Sequence, residues 1–308
     1  MSDFVHLHVH SEYSLLDGLS SCRELAQCVA ELGMPAVALT DHGVMFGTVQ
    51  FYKACRAAGI RPVIGMEAYL APNSRHDRDP QVDRSPYHLV LLAQNDVGYH
   101  NLLRLATISQ LEGFYYRPRL DRQCLADHAD GLIVLSGCGS SEIARHIRDG
   151  RVDQARESVS WYRDVFPDRY YLELQEHDIP ELEMVNRGTI ALAREMGLPL
   201  VATNDVHYAR REQADTHDVL LCVQTGKTVN EPTRMRMDGD SYYLRSAEEM
   251  MNLFSEAPEA ITNSLRIAEM CEVELEFGRY HLPRFETPEG CDAEAYLRQL
   301  CEAGLAER

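Results

Sequence analysis

Three histidines alternate with apolar residues near the start of the chain, in His6-Leu7-His8-Val9-His10. Side chains along a strand point to opposite faces in turn. An extended segment here puts the three imidazoles on one face and Val5, Leu7 and Val9 on the other. The apolar face is suited to packing. A row of imidazoles buries poorly without partners and suits metal coordination. More groups of ligand type stand within or after later apolar runs: Asp17 in HSEYSLLDG, Asp41-His42-Gly43, Glu67 in GMEAYL, His88 in YHLVLLA, Cys138 in LSGCGSSE, and Asp205 with His207 in ATNDVHY. Imidazoles, carboxylates and one thiol suit zinc, manganese or iron better than magnesium or calcium. Two or three such ions, spaced about 3.5–4 Å apart, would stabilise both the attacking and the leaving oxygen of phosphoester hydrolysis. Glu67 or Asp205 is the candidate carboxylate shared between ions.

Bringing these groups together requires many strand ends at one face. Strand-like runs cover 4–10, 36–40, 62–70, 87–93, 132–136, 170–174 and 200–203, and helical patterns separate them. That alternation predicts an α/β fold with a parallel sheet, closed into a barrel whose post-strand loops form the active face. The first helix is the clearest: Ser21 and Glu24 form a capping box, Leu25, Cys28, Val29 and Leu32 make the buried stripe, and Gly33 ends it. A second helix runs from about Gly47 to Ala58 and stops at Gly59, and others are expected near 96–110, 140–149, 151–165, 180–197 and 211–223. The polar stretch Ala71–Pro86 reads as an exposed loop. After about residue 225 the rhythm is lost. Helices near 246–254, 258–271 and 293–307 form an extension, the last of them beyond a linker at 283–290.

Composition narrows the function. The 308 residues include nine cysteines with no CxxC pair, which argues against a disulfide framework and for a reducing compartment. Neither a membrane span nor a signal peptide is expected, so the predicted location is the cytoplasm. The net charge of −18 argues against a general nucleic-acid-binding module. It leaves a metallophosphoesterase open, because three dications bring roughly +6 against Asp17, Glu67, Asp205 and a Cys138 thiolate.

The runs HLHVHSEYSLLDG, TDHG, GMEAYL, LSGC and ATNDVHY resemble the polymerase-and-histidinol-phosphatase (PHP) domain family. FYYRPRLD and LELQEHD are similar to the subfamily found in bacterial replicative DNA polymerase III alpha subunits. The resemblance covers about residues 3–285, and FETPEGCDAEAYLRQLCEAGL is similar to the start of the polymerase portion. The division it implies is a PHP domain over 1–285, followed by a linker and first polymerase helix over 286–308. It implies a distorted seven-stranded (β/α) barrel with a small helical C-terminal extension and a trinuclear metal centre. The family's ligand pattern falls on His8, His10, Asp17, His42, Glu67, His88, Cys138, Asp205 and His207. The implied activity is metal-dependent phosphoester hydrolysis, including 3′→5′ exonuclease action on a DNA 3′ end, in a bacterial cytoplasm. Implied partners are the rest of the polymerase chain, a proofreading exonuclease subunit and other replisome proteins. Two alternatives stay open: a non-catalytic metal-binding scaffold that braces the polymerase or docks the proofreading subunit, and a stand-alone small-molecule phosphatase.

Within this reading, Asp17, Glu67 and Asp205 serve the chemistry as well as the metals. His6 is left outside the ligand set, and Asp41 supports a ligand or a turn. His177, in QEHD, is a candidate to orient substrate or to ligate. Tyr115 and Tyr116 are candidates to stack a base, and Arg117 and Arg119 to grip phosphate. His76, His100, His128, His146, His217 and His281 read as surface residues or local hydrogen-bonders.

Overall fold

A computed structural model describes residues 4–280, 282–288 and 290–308. The chain forms two compact units, Met1–Glu274 and Leu275–Arg308. In the first, the strands are β1 (Ala36–Leu39), β2 (Arg61–Leu70), β3 (Tyr87–Ala93), β4 (Arg119–Leu120), β5 (Leu132–Leu135), β6 (Tyr170–Leu174) and β7 (Leu200–Ala202). The helices are α1 (Cys22–Glu31), α2 (Thr48–Ala58), α3 (Asp96–Leu111), α4 (Arg122–Asp127), α5 (Glu142–Arg148), α6 (Val152–Val165), α7 (Pro180–Met196), α8 (Ala214–Thr225), α9 (Ala247–Leu253) and α10 (Pro258–Met270). The second unit carries α11 (Ala293–Glu307), whose first turn is capped by the Asp292 carboxylate accepting from Ala295 N at 2.8 Å.

The strands are ordered β1-β2-β3-β5-β6-β7, with β4 attached beside the end of β2. The segment 4–10 closes the ring without becoming a regular strand. His6 bridges Val37 of β1, and Val9 bridges Val206 just past β7. The fold is thus a distorted (β/α) barrel of seven members when 4–10 is counted among them, with β4 as a short addition. The expected parallel sheet is corrected: β3 runs antiparallel to both β2 and β5. No helix lies between β2 and β3 to carry the chain back to the start of the sheet, so the chain returns along the neighbouring strand. The short α4 was not expected.

Apolar residues fill the barrel. Val5, Leu7, Ala36, Ala38, Val63, Val90, Leu92, Ile133, Leu135 and Val201 form one buried cluster with Ile267, Ala268 and Cys271 from α10 and its end. Parity along the strands ties this cluster to the polar site. Glu67 continues the face of Val63, His88 that of Val90, and Glu173 that of Tyr171. The segment 4–10 breaks the rule because its backbone bends at His8. Val5 and Leu7 face the apolar cluster, yet after the bend His8 and His10 join the polar site. His6 stays outside and hydrogen-bonds the Arg245 carbonyl at 2.9 Å. The expectation that all three imidazoles share a face holds only for His8 and His10.

The α1 N-terminus is a simple cap rather than a capping box. Ser21 Oγ accepts from Glu24 N at 3.2 Å, while the Glu24 carboxylate accepts from Gln213 Nε2 at 2.7 Å. Among the described residues, no helix is long and apolar enough to cross a membrane.

Candidate metal centre

The barrel mouth gathers side chains from β1, β2, β3, β5 and β7 or the loops after them, and from segment 4–10 with its following loop. Glu67 is the hub. Its Oε1 lies 3.2 Å from His8 Nε2, 2.9 Å from His88 Nδ1 and 3.6 Å from Cys138 Sγ. Its Oε2 contacts His42 Nδ1 and lies 3.8 Å from His10 Nε2. Asp205 Oδ1 approaches His10 Nε2 at 3.2 Å and His8 Nε2 at 3.3 Å. Asp17 Oδ1 lies 3.3 Å from His42 Nε2. The His10 ring stacks on His42 at 4.1 Å between centroids and meets His207 at 4.5 Å. The nine residues expected to ligate metal thus come together around one space.

Their donor atoms fall into overlapping groups, each compact enough for one ion: His10, His42 and His207; His8, His10 and Glu67; and His42, Glu67 and His88. Among the described residues, the buried side-chain atoms without a hydrogen-bond partner include His8 Nε2, Asp17 Oδ1, His42 Nδ1 and Glu67 Oε2. Buried polar atoms are normally satisfied. Four orphans crowded together are what a cation between them would satisfy, and the nitrogen, oxygen and sulfur set fits a transition metal.

The charges are interlocked. Burial pushes the His8 imidazole down, but Asp205, Glu173 and Glu67 together raise it well above the ordinary histidine range. His42 is raised likewise, against burial, by Asp17 and Glu67. Burial alone would lift Glu67, yet His88, His42 and His8 hold it well below the usual carboxylate range. Burial lowers His10 to about 3, and His42 and His207 add to that. Burial, then Glu67 and Asp205, push the Cys138 thiol well up. A bound dication would reverse that last shift.

Supporting residues hold the cluster from outside. His207 Nδ1 donates to the Asp205 carbonyl at 2.7 Å, which leaves Nε2 free as a donor atom. Asp205 itself sits at φ 46°, a left-handed conformation that aspartate tolerates better than most residues. His10 Nδ1 meets Ser14 Oγ at 3.0 Å, and Ser14 donates to Asp41 at 2.8 Å, so Asp41 acts on the site through a serine. Gly18 closes the Asp17 turn because a Cβ there would fall 1.8 Å from the Ser11 carbonyl oxygen. His217, read as a surface residue or local hydrogen-bonder, is instead buried and donates to the distant Asp17 carbonyl at 2.7 Å. His281 lies outside the described residues.

In front of the cluster is a cavity of about 590 Å³. His177 lines it, stacked on Tyr242 at 3.9 Å, with Nδ1 2.8 Å from Ser241 Oγ and Nε2 unpartnered. Arg148, Met235 and Met237 also line it and were not anticipated. They lie on a helix end and in an irregular loop, where no strand periodicity points to them. Arg117 does not line the cavity; its guanidinium lies 5.8 Å over the Tyr69 ring, which itself stacks on His42.

Arg119 is a correction. It is fully buried, and its guanidinium donates to the carbonyls of Gly113 at 3.0 Å, Arg75 at 3.0 Å and Asp77 at 2.7 Å. It pins the 71–86 stretch, which is the largely exposed loop expected, and it is not free to grip phosphate. Tyr115 covers this arginine at 5.3 Å and belongs to the same packing, whereas Tyr116 is exposed beside Arg84.

A family model described as the PHP domain matches residues 6–177. The chain belongs to the PHP domain family. Its relatives include the DNA polymerase III subunit alpha of Treponema pallidum, 45% identical over 99% of this chain and 26% of that protein. The subunit of the same name from Thermus aquaticus is 44% identical over 99% of this chain and 26% of its own length. The chain thus spans about a quarter of the curated relatives it matches. Among solved structures, it is similar to a two-domain Bacteroides vulgatus protein containing a predicted PHP-like metal-dependent phosphoesterase. That similarity has a TM-score of 0.42 and 13% identity, over 90% of this chain and 72% of the other.

Proposed function

We propose that this PHP domain is a metal-dependent phosphoesterase within a DNA polymerase III alpha subunit, acting as a 3′→5′ exonuclease on a DNA 3′ end. The observation that carries the reading is the convergence of orphaned, buried donor atoms on Glu67 and its histidine neighbours. His8, His10, Asp17, His42, Glu67, His88, Cys138, Asp205 and His207 are the residues that would hold a trinuclear centre. Two or three ions of zinc, manganese or iron would supply Lewis acidity and a water activated for attack. Around them, Asp17 and Asp205 hold the histidines in place. His177, kept neutral because burial lowers it to about 4, orients the scissile group by hydrogen bonding from the cavity wall. Arg117 offsets phosphate charge from one ring away, over Tyr69.

The proposed context is a bacterial cytoplasm. The proposed phosphoesterase domain spans residues 1–285, with 286–308 as the proposed lead into a polymerase portion; the compact units divide somewhat earlier, between Glu274 and Leu275. The rest of the polymerase and the other replisome proteins, a proofreading subunit among them, are its proposed partners.

Elemental analysis of the purified protein tests the centre: fewer than two bound ions per chain overturns it. With metal restored, nucleotide release from single-stranded DNA is compared with phosphate release from small monoesters. Release from monoesters alone identifies a small-molecule phosphatase. If DNA is untouched, and Asp205→Asn changes thermal stability alone, the domain is a scaffold.

A further inference from the structure

One buried carboxylate outside the proposed ligand set lies directly behind it. Glu173, in β6, is almost wholly buried, and donors converge on both of its oxygens. Oε1 accepts from His8 Nδ1 at 2.8 Å, from Gln175 Nε2 at 2.9 Å and from the Thr203 hydroxyl. Oε2 accepts from the backbone N–H of Gly137 at 2.9 Å. The Glu173 backbone is fixed in turn, its N–H donating to Ser136 Oγ at 2.9 Å.

We propose that Glu173 is a positioning residue for the metal centre, holding the His8 imidazole with Nε2 turned inward and fixing the turn that carries Cys138. This inference rests on the metal-centre reading above. A carboxylate oxygen accepts, so the proton of the bond to His8 sits on Nδ1 and Nε2 is the atom left for an ion. That nitrogen lies 3.2 Å from Glu67 Oε1 and 3.3 Å from Asp205 Oδ1, and has no hydrogen bond of its own. On the other side, Gly137 immediately precedes Cys138. It stands at φ 92°, where a Cβ would fall 2.6 Å from the His88 carbonyl oxygen. A turn that tight has little freedom, and the bond to Glu173 is one of its ties. One side chain therefore joins segment 4–10, the turn after β5 and the chain after β7. All three deliver proposed ligands.

The chemistry at this position calls for a group that only accepts. Glutamine has the same shape but one accepting oxygen. Its NH₂ would face either the His8, Gln175 and Thr203 donors or the Gly137 N–H, and each choice sets donor against donor. Loss of such a partner behind a metal-bound histidine weakens metal binding by roughly 10–100-fold.

The test uses the full chain. Metal-free wild type and Glu173→Gln are titrated with cobalt(II), following the visible absorption of the bound ion and a competing chelator. The expected result is 10–100-fold weaker binding and an altered spectrum in the variant. In a His8→Ala background, Glu173→Gln should add little, because its effect passes through His8. A second measurement needs no variant: long-range ¹H–¹⁵N spectra of zinc-loaded wild type, labelled at histidine, should find His8 protonated on Nδ1 and metal-bound through Nε2. Equal affinity and an unchanged spectrum in Glu173→Gln, or zinc on Nδ1 of His8, overturns the inference while the metal centre stands. A wild type that binds no cobalt or zinc overturns the metal centre itself.

Discussion

Two buried, charged regions lie near one another in this barrel, and they are built on opposite terms. Around Arg119 the cation is satisfied: the guanidinium donates to the carbonyls of Gly113, Arg75 and Asp77, and one atom of the nest, Asp83 Oδ1 at 3.6 Å, pairs with it by charge without a hydrogen bond. Around Glu67 the polar groups do not close: His8 Nε2, Asp17 Oδ1, His42 Nδ1 and Glu67 Oε2 crowd together without a well-formed hydrogen bond, although His42 Nδ1 and Glu67 Oε2 touch as an ion pair. Burying charge is costly, and a fold that tolerates it normally satisfies every group. A buried cation matched by backbone carbonyls is thus the mark of structure. A buried cluster left unsatisfied marks the place where something else completes the set.

The sharpest way to break that contrast is to remove the hub. Glu67→Ala should lower bound metal to below one ion per chain and reduce nucleotide release by at least about 10³-fold, since it takes a contact from several proposed ligands at once. Elemental analysis beside the nuclease assay reads both. Full metal content in the variant would mean that the orphaned atoms at Glu67 had been misread. The complementary change, Arg119→Ala, should cost about 3–5 kcal/mol of stability, because buried carbonyls and Asp83 lose their donor. Metal content per folded chain should not change. A variant that stays stable but loses metal would erase the distinction between the two regions.

His177 belongs to the cavity in front of the centre rather than to the proposed ligand set. Its substitution by alanine should therefore separate turnover from binding of metal. His177→Ala is expected to lose about 10²-fold in kcat, in the range typical of one positioned proton donor or acceptor, with metal content intact. Metal loss of the same order would move it into the ligand set.

A smaller effect follows from the histidine that was left out. Burial lowers His6 to about 4 from an ordinary 6.5, although its bond to the Arg245 carbonyl pulls the other way. Between those values the unfolded chain takes up a proton that the folded chain refuses. The stability His6 contributes is present above pH 6.5 and is lost as pH falls toward 4, by about 1.4 kcal/mol per pH unit. His10 and His177, also lowered, act in the same direction. His8 and His42 are raised, so their contribution is full below pH 6.5 and fades only at higher pH. Urea unfolding of metal-free protein at pH 7, 6 and 5 should give a slope that His6→Gln lowers by one proton. An unchanged slope would mean that His6 is not held neutral.

The same contrast explains what could be read from the chain beforehand. The proposed ligands were legible because each interrupts or ends an apolar run, as Glu67 does within β2. Glu173 obeys that rule within YYLEL and could have been found by it. The bend at His8 was not legible, since strict alternation is all that the spacing of His6, His8 and His10 conveys. Nor was the antiparallel β3, which depends on where a helixless connection leads. Arg119 was misassigned because arginine beside tyrosine looks the same in sequence whether it faces solvent or is folded inward. Only its burial decides.

The gentlest test concerns the arginine that is one ring removed from the proposed centre. Arg117 lies against Tyr69, whose ring stacks on His42, so its charge sits one ring away from the proposed centre. It is partly exposed, and solvent screens it. Arg117→Ala should therefore raise KM for single-stranded DNA only about two- to fivefold at low salt, with kcat and metal content unchanged, and the difference should shrink as salt rises. A fall in kcat instead would place Arg117 on the reacting phosphate itself. A loss of stability would place it with Arg119 among the groups that hold the fold.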